Sequence, residues 1–430
     1  MSNYSEQIEK LAAPNPLLKA LNLIANKEDF MLQSKVLLKK ADVLKAIKGK
    51  DAYEVIALKK RFMDKFFFLP DDETWAVYCS LKNAISTGYL AKNINDEAYF
   101  KQINEKLFSS NQLSKSSSSG GYLCGPAGYG KTMTVERVLN TIPQVIEHNH
   151  QETATKTPLK QIVWVKVTCS TSSKKATLRS ILKEVHRLSG SIYSELTKYK
   201  SVDHYLKEVT SVFLQYSVGI LVIDESQWFS SGRRTDKDGI NASFLQEIYN
   251  EFNVPVLLIG TPILRDAIVD SKATQRRYEQ FMSKNYSCVT IDRGTIVEVI
   301  KVLFSNYIFP ESEEKITKAQ INKVLVFCRG NMSILLKLAE KALVLSSENN
   351  DKNISSELLD YAMDTIKMDV ETFFNGERNY YADDSKNGKN KQSSKPLEKK
   401  AVNKQKLLLE KLSKVDGMID INSFDSGVSK

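Results

Sequence analysis

Through the middle of the chain, short apolar runs alternate with segments of helical period. The runs are Tyr122-Leu123-Cys124, Ile162-Val163-Trp164-Val165-Lys166-Val167, Ile220-Leu221-Val222-Ile223 and Val256-Leu257-Leu258-Ile259. Cys288-Val289-Thr290-Ile291 is a weaker fifth. Between them, residues 132–139, 176–188, 202–216 and 242–252 read as helices. Runs of four to six apolar residues separated by helices predict strands buried on both faces, hence an α/β fold with a five-stranded parallel sheet. This core spans 114–293 and opens with the tract Ser116-Ser117-Ser118-Ser119-Gly120-Gly121, a flexible connector.

On either side the pattern changes to helix. Residues 1–113 form a mostly helical region. Pro14 and Pro16 break its start, Leu17, Leu18, Leu21 and Ile24 share one helical face, and Phe66-Phe67-Phe68-Leu69 before Pro70 reads as core packing. In 294–370, apolar faces of period 3.6 over 296–304 and 334–345, with a Gly330-Asn331 turn between them, predict a helical lid. Residues 371–430 are a basic, partly disordered tail, polar from Gly376 onward, with a short amphipathic helix over 404–412. No repeat of fixed period is present.

Composition narrows the class. Of 430 residues, 42% are apolar and 26% charged, the mix of a folded chain rather than a wholly disordered one. The balance of 61 Lys+Arg against 51 Asp+Glu gives +10, which permits contact with nucleic acid without requiring it. No apolar run approaches the ~20 residues a bilayer demands, so no membrane partner is expected. The start, with early acids and prolines and no apolar core, is no secretory signal. Cys79, Cys124, Cys169, Cys288 and Cys328 are scattered without a CxxC pair. That argues against a zinc site and fits buried thiols in a reducing cytoplasm. His148 and His150 form no metal-binding motif and read as surface residues.

The strongest chemical signal is Gly125-Pro126-Ala127-Gly128-Tyr129-Gly130-Lys131-Thr132, followed by Met133. It matches GxxxxGK[ST] between a strand and a helix. Glycines let successive N–H groups turn toward an anion, and the helix start adds partial positive charge. Lys131 is expected to reach the β- and γ-phosphates of ATP, and Thr132 to bind Mg²⁺. At the end of the third run, Asp224 is the second expected Mg²⁺ ligand, and Glu225 the general base that polarises water. Thr261, at the tip of the next strand, would lie beside the γ-phosphate. Arg276 and Arg277 read equally as a solvated basic face or as arginines that complete a neighbouring subunit's site.

This set resembles an AAA+ ATPase, and within that class the TnsC/TniB regulators of target choice in bacterial transposition. The resemblance covers roughly residues 14–345. Asn15-Pro16-Leu17-Leu18-Lys19-Ala20-Leu21 and Gly88-Tyr89-Leu90-Ala91-Lys92-Asn93 are similar to segments of that family. So are Leu221-Val222-Ile223-Asp224-Glu225-Ser226-Gln227 and Val254-Pro255-Val256-Leu257-Leu258-Ile259-Gly260-Thr261-Pro262. It implies ATP-bound subunits that assemble head to tail as a ring or filament around duplex DNA in the nucleoid. They would link a target-selector protein to the transposase and be reset by hydrolysis. It also implies an arginine finger at Arg276 or Arg277, and pore-facing DNA contacts near Lys174, Lys175, Arg179, Lys198 and Lys200. Position 228 is Trp where the family commonly has His. The helix after Gly330-Asn331 carries no arginine; Arg329 precedes the turn and Lys337 is its nearest cation. Two other readings share these motifs: a helicase-loader or initiator-type ATPase, and a nucleotide-locked scaffold with little turnover, against which Glu225 argues.

Overall fold

The structure, a computed structural model, describes residues 15–90, 92–94, 118–149, 159–170, 173–192, 201–230, 240–286, 293–349 and 351–387. The chain divides into two compact units. One holds the described residues up to Lys39 and from Arg61 to Ile296; the other holds Lys40–Lys60 and those from Val297 onward.

The amino-terminal elements are α1 (Pro16–Lys19), α2 (Lys27–Ser34), β1 (Val36–Leu37), α3 (Lys40–Ile47), α4 (Ala52–Lys65), β2 (Phe67–Phe68) and α5 (Asp72–Leu90). Asn15 caps α1, its Oδ1 accepting from the Leu17 N–H at 3.0 Å, and Pro16 supplies the preset φ of a first helical residue. Helix α5 buries Val77, Tyr78, Leu81, Ala84, Ile85, Gly88 and Tyr89, a stripe at helical spacing. Phe67 and Phe68 pair antiparallel with Leu37 and Val36. Phe67 is buried, whereas Phe66 is 42% exposed, so the aromatic run only partly enters a core.

The central elements follow in chain order: β3 (Gly120–Cys124), α6 (Lys131–Leu139), β4 (Val145–His148), β5 (Leu159–Ile162), β6 (Trp164–Thr168), α7 (Lys174–Ser189), α8 (Val202–Gln215) and β7 (Ile220–Asp224). They continue with α9 (Ile240–Glu251), β8 (Val256–Gly260), α10 (Pro262–Val269), α11 (Lys272–Tyr278) and β9 (Met282–Asn285). Five strands form one parallel sheet in the order β6-β7-β8-β3-β9. Alternate residues of each strand feed two cores. Val165, Leu221, Ile223, Val256 and Leu258 pack with α7 to α10. Leu123, Ile220, Val222, Leu257 and Ile259 pack with α5 and α6. The sheet is thus covered on both faces, which explains why its central strands are continuously apolar.

Three sequence expectations shift. The fifth strand is Met282–Asn285, six residues before the weak apolar run, and Cys288–Ile291 lies outside the described residues. An edge strand pairs on one side only and can be polar, so a search for apolar runs passes over Met282-Ser283-Lys284-Asn285. The 162–167 run is not one strand: Ile162 ends β5, which pairs antiparallel with β4, and Trp164 begins β6. His148 is not a surface residue. It is buried in that β4–β5 ribbon with its Nε2 2.7 Å from Gln161 Oε1, and Gln161 Nε2 donates to the Leu17 carbonyl at 3.1 Å. His150 lies outside the described residues.

The second unit continues with α12 (Arg293–Val302), which starts in the first unit and runs into a π-helical turn at Leu303–Ile308. Then come α13 (Lys318–Cys328), α14 (Met332–Asn349) and α15 (Ser356–Asn387). Buried Lys59 donates to the Ile308 carbonyl at 2.9 Å and lies 3.5 Å from Glu311; burial lowers its pKa from the ordinary lysine value. Thr317 and Gln320 form a capping box at the start of α13. Helix α15 runs through position 371, where the tail was expected to begin, and buries Val370 and Phe374. Residues 388–430, with the expected 404–412 helix, lie outside the described residues.

Candidate nucleotide site

Parallel pairing brings the carboxyl ends of the strands to one edge. Cys124 is in register with both Gly260 and Asn285, and Thr168 with Asp224. Strand β3 lies between β8 and β9, the switch in strand order beside which open α/β sheets bind ligands. The loop after β3 is anchored by the Gly125 N–H, which donates to the Gly260 carbonyl at 3.2 Å. A Cβ on Gly125 would stand 2.4 Å from the Tyr286 carbonyl oxygen, so a glycine is required there. Burial pushes the Cys124 thiol up to about 12, so it is an inert wall beside the loop.

Gly128 and Gly130 both have φ 81°, the left-handed region that side chains disfavour. Gly130 is the N-cap of α6 and a Cβ there would meet nothing within 4 Å; the demand is on the backbone, not on space. Ala127 is exposed at the crest while Tyr129 is buried beneath. Pro126, Thr132 and Met133 are half-buried, the last two in the first turn of α6. Lys131 Nζ donates to the Gly125 and Pro126 carbonyls at 2.8 and 2.7 Å, so the ammonium lies within the loop it is expected to serve.

Asp224 is 3% exposed at the tip of β7. Its Oδ1 accepts the Glu225 N–H at 2.9 Å and its Oδ2 lies 3.6 Å from Lys166 Nζ, which also pairs with Glu136 of α6. Glu225 is exposed with φ 55°, a conformation that strains a non-glycine residue and recurs at functional positions. Its carboxylate accepts a hydrogen bond from Gln227 Nε2, and Gln227 Oε1 accepts from the Thr261 N–H at 3.2 Å. Gln227 therefore links the expected general base to the tip of β8. Thr261 Oγ1 is buried without a hydrogen-bond partner among the described residues. An orphaned hydroxyl, a buried carboxylate and a glycine-built loop at one edge are a donor set that suits a phosphate chain and a hard cation.

Sequence reasoning did not single out Lys166 or Gln227. The signal for the first was a lysine inside an otherwise apolar strand. The second had none beyond its place two residues after Glu225.

On α11, Arg276 is exposed and forms no hydrogen bond or ion pair among the described residues. Arg277 donates to the Ala273 carbonyl at 2.9 Å and lies 5.7 Å from the Tyr249 ring centre. Lys174 pairs with Glu247 at 3.2 Å and sits over the Phe244 ring, whereas Lys175 is exposed and Arg179 half-buried on α7. Lys198 and Lys200 lie outside the described residues. Arg329 rests on the Phe374 ring at 4.3 Å, and Lys337 is exposed on α14. Among the described residues no three His, Cys, Asp or Glu side chains cluster as a metal site of their own.

Residues 114–268 match the AAA domain family. The fold around it, a five-stranded parallel sheet with flanking helices, is that of an AAA+ P-loop NTPase. Among solved structures, the Walker-type ATPase of Pyrococcus abyssi is similar at 15% identity, over 68% of this chain and 77% of that one, with a TM-score of 0.41. The Aeropyrum pernix ORC2 protein is similar at 12% identity, over 63% and 66%, with a TM-score of 0.38. Cdc6p of Pyrobaculum aerophilum is similar at 13% identity, over 65% and 69%, with a TM-score of 0.36. No curated protein matches.

Proposed function

We propose that this AAA+ protein hydrolyses ATP, assembles with copies of itself on duplex DNA, and regulates transposition by linking a target selector to the transposase. The observation that carries the hydrolytic part is the meeting at one sheet edge of the glycine loop, the Asp224–Glu225 pair and the unpartnered Thr261 hydroxyl. Lys131 exchanges two loop carbonyls for phosphate oxygens. Thr132 and Asp224 would hold Mg²⁺, which when bound would neutralise charge on the phosphates. Glu225 takes the proton of the attacking water. Arg276, solvent-facing, is the arginine offered to the neighbouring protomer, while Arg277 is held by its own helix.

The transposition reading is supported by the resemblance of two segments, 15–21 and 88–93, to the TnsC/TniB family. Asn15 Nδ2 donates to the Tyr89 carbonyl at 2.8 Å and the Lys92 carbonyl at 3.3 Å, so the Asn15 and Gly88-to-Asn93 segments act as one unit.

Phosphate release with ATP, Mg²⁺ and duplex DNA tests the hydrolytic part. Lys131→Ala should abolish nucleotide binding. Glu225→Gln should keep binding and lower turnover by about 10²- to 10⁴-fold. A wild-type rate equal to that of Glu225→Gln would instead identify a nucleotide-locked scaffold. Affinity capture that recovers a replicative helicase and no transposase would replace the transposition reading with the initiator-type one.

A further inference from the structure

Strand β6 carries a lysine where a side chain from the sheet interior is expected. Lys166 is in register with Val222, two residues before Asp224, and so lies on the sheet face that α6 covers. Its stem runs along that apolar face and its ammonium emerges at the carboxyl edge. There it meets two carboxylates. It is in direct contact with Glu136, on the second turn of the helix that begins at Lys131, and lies 3.6 Å from Asp224 Oδ2. The side chains are 16% exposed for Lys166, 5% for Asp224 and 44% for Glu136.

A carboxylate as buried as Asp224 requires a compensating charge, and Lys166 is the cation that supplies it. The oxygen it faces belongs to the residue assigned to Mg²⁺. Two cations drawing on one carboxylate repel each other, so the ammonium opposes the metal. Glu136 changes the outcome: the ammonium can give up Asp224 and stay fully paired. The ammonium thus stands between two carboxylates, one buried and one partly open to solvent.

We propose that Lys166 is an internal competitor for the metal-binding carboxylate, and that Glu136 sets the metal affinity by drawing the ammonium away from Asp224. The proposal rests on the assignment of Asp224 to Mg²⁺. It makes Lys166 and Glu136 positioning residues that bear on metal capture and not on the chemical step.

The two variants should shift Mg²⁺ dependence in opposite directions. Binding of a fluorescent ATP analogue to the full chain is titrated with Mg²⁺, so the readout is affinity rather than turnover. Lys166→Met should lower the Mg²⁺ midpoint by about tenfold, the equivalent of about 1.4 kcal/mol. Glu136→Gln should raise it several-fold, since Lys166 is then left to Asp224 alone. The double variant should behave like Lys166→Met, because Glu136 acts through the lysine. Binding measured in excess chelator should be the same in all four proteins. If Lys166→Met does not fold cooperatively, Lys166→Gln reads the same shift.

Equal midpoints in wild type and the lysine variants, with Mg²⁺ dependence intact, overturn this inference alone. Additive rather than masked effects in the double variant overturn the role of Glu136. A wild-type protein whose nucleotide binding ignores Mg²⁺ overturns the assignment of Asp224 itself.

Discussion

Lys92 is buried to 3% exposure, with its Nζ donating to the Val218 carbonyl at 2.8 Å and lying 5.9 Å from the Tyr89 ring centre. Desolvation pushes its ammonium from the ordinary 10.5 down to about 7. Between those two values the unfolded chain holds the proton and the native chain does not. Stability therefore rises with pH across that window, by up to about 1.4 kcal/mol per pH unit, and the slope vanishes below about pH 7, where both states are protonated. Urea midpoints at several pH values should show this rise in the wild type and its loss in Lys92→Met; parallel profiles would refute it. Such a residue is illegible in sequence, where a lysine reads as a solvated charge. The same holds for Lys166 and for the bridge from Glu225 through Gln227 to Thr261, since each partner lies on a different strand or turn. What was legible at this scale were residues whose spacing is local: Gly125 to Thr132, and Asp224 at the end of an apolar run.

Helix α11 is seven residues long and carries two adjacent arginines that face different surroundings. Arg277 is bound to its own helix and to Tyr249, so Arg277→Ala should cost roughly 0.5–1 kcal/mol of stability and spare turnover. Arg276→Ala should leave nucleotide binding intact and remove DNA-dependent turnover. Mixing it with Glu225→Gln should restore part of the rate, because the second variant binds nucleotide and supplies the arginine that the first lacks. Absence of recovery in the mixture, or full turnover by monomeric protein, would exclude an arginine acting between protomers. At the scale of elements, helices of strong period and fully buried strands were readable. Strand β9 was not, because one partner suffices for an edge. The β4–β5 ribbon was hidden because Ile162 and Trp164 form one apolar run that the fold divides at Val163, whose N–H donates to the Gln144 carbonyl.

At the scale of the molecule, the helical pattern of 1–113 says nothing of distant partners: Lys40 donates to the Ser312 carbonyl and Lys59 to that of Ile308, more than 200 positions away. None of the helices among the described residues is long and apolar enough to cross a membrane. For the proposed duplex contact, the exposed cation of α7 is Lys175, while the ammonium of Lys174 is committed to Glu247. Replacing Lys175 by Ala should weaken duplex binding similarly for all sequences and reduce the salt slope by about 1, whereas Lys174→Ala should leave the slope unchanged. Fluorescence anisotropy of labelled duplexes across KCl concentrations reads both; equal slopes in the two variants would move the interface elsewhere.

Strand β3 is hemmed in at both ends. A methyl group on Gly120 would stand 2.4 Å from the Arg277 carbonyl oxygen, as one on Gly125 would from that of Tyr286. The strand between them is only about 17 Å long and has no slack at either join. A larger residue at either glycine would therefore have to displace the helix or the loop that abuts it. The helix of Arg276 and Arg277 and the turn after β3 are thus mounted at opposite ends of one short beam.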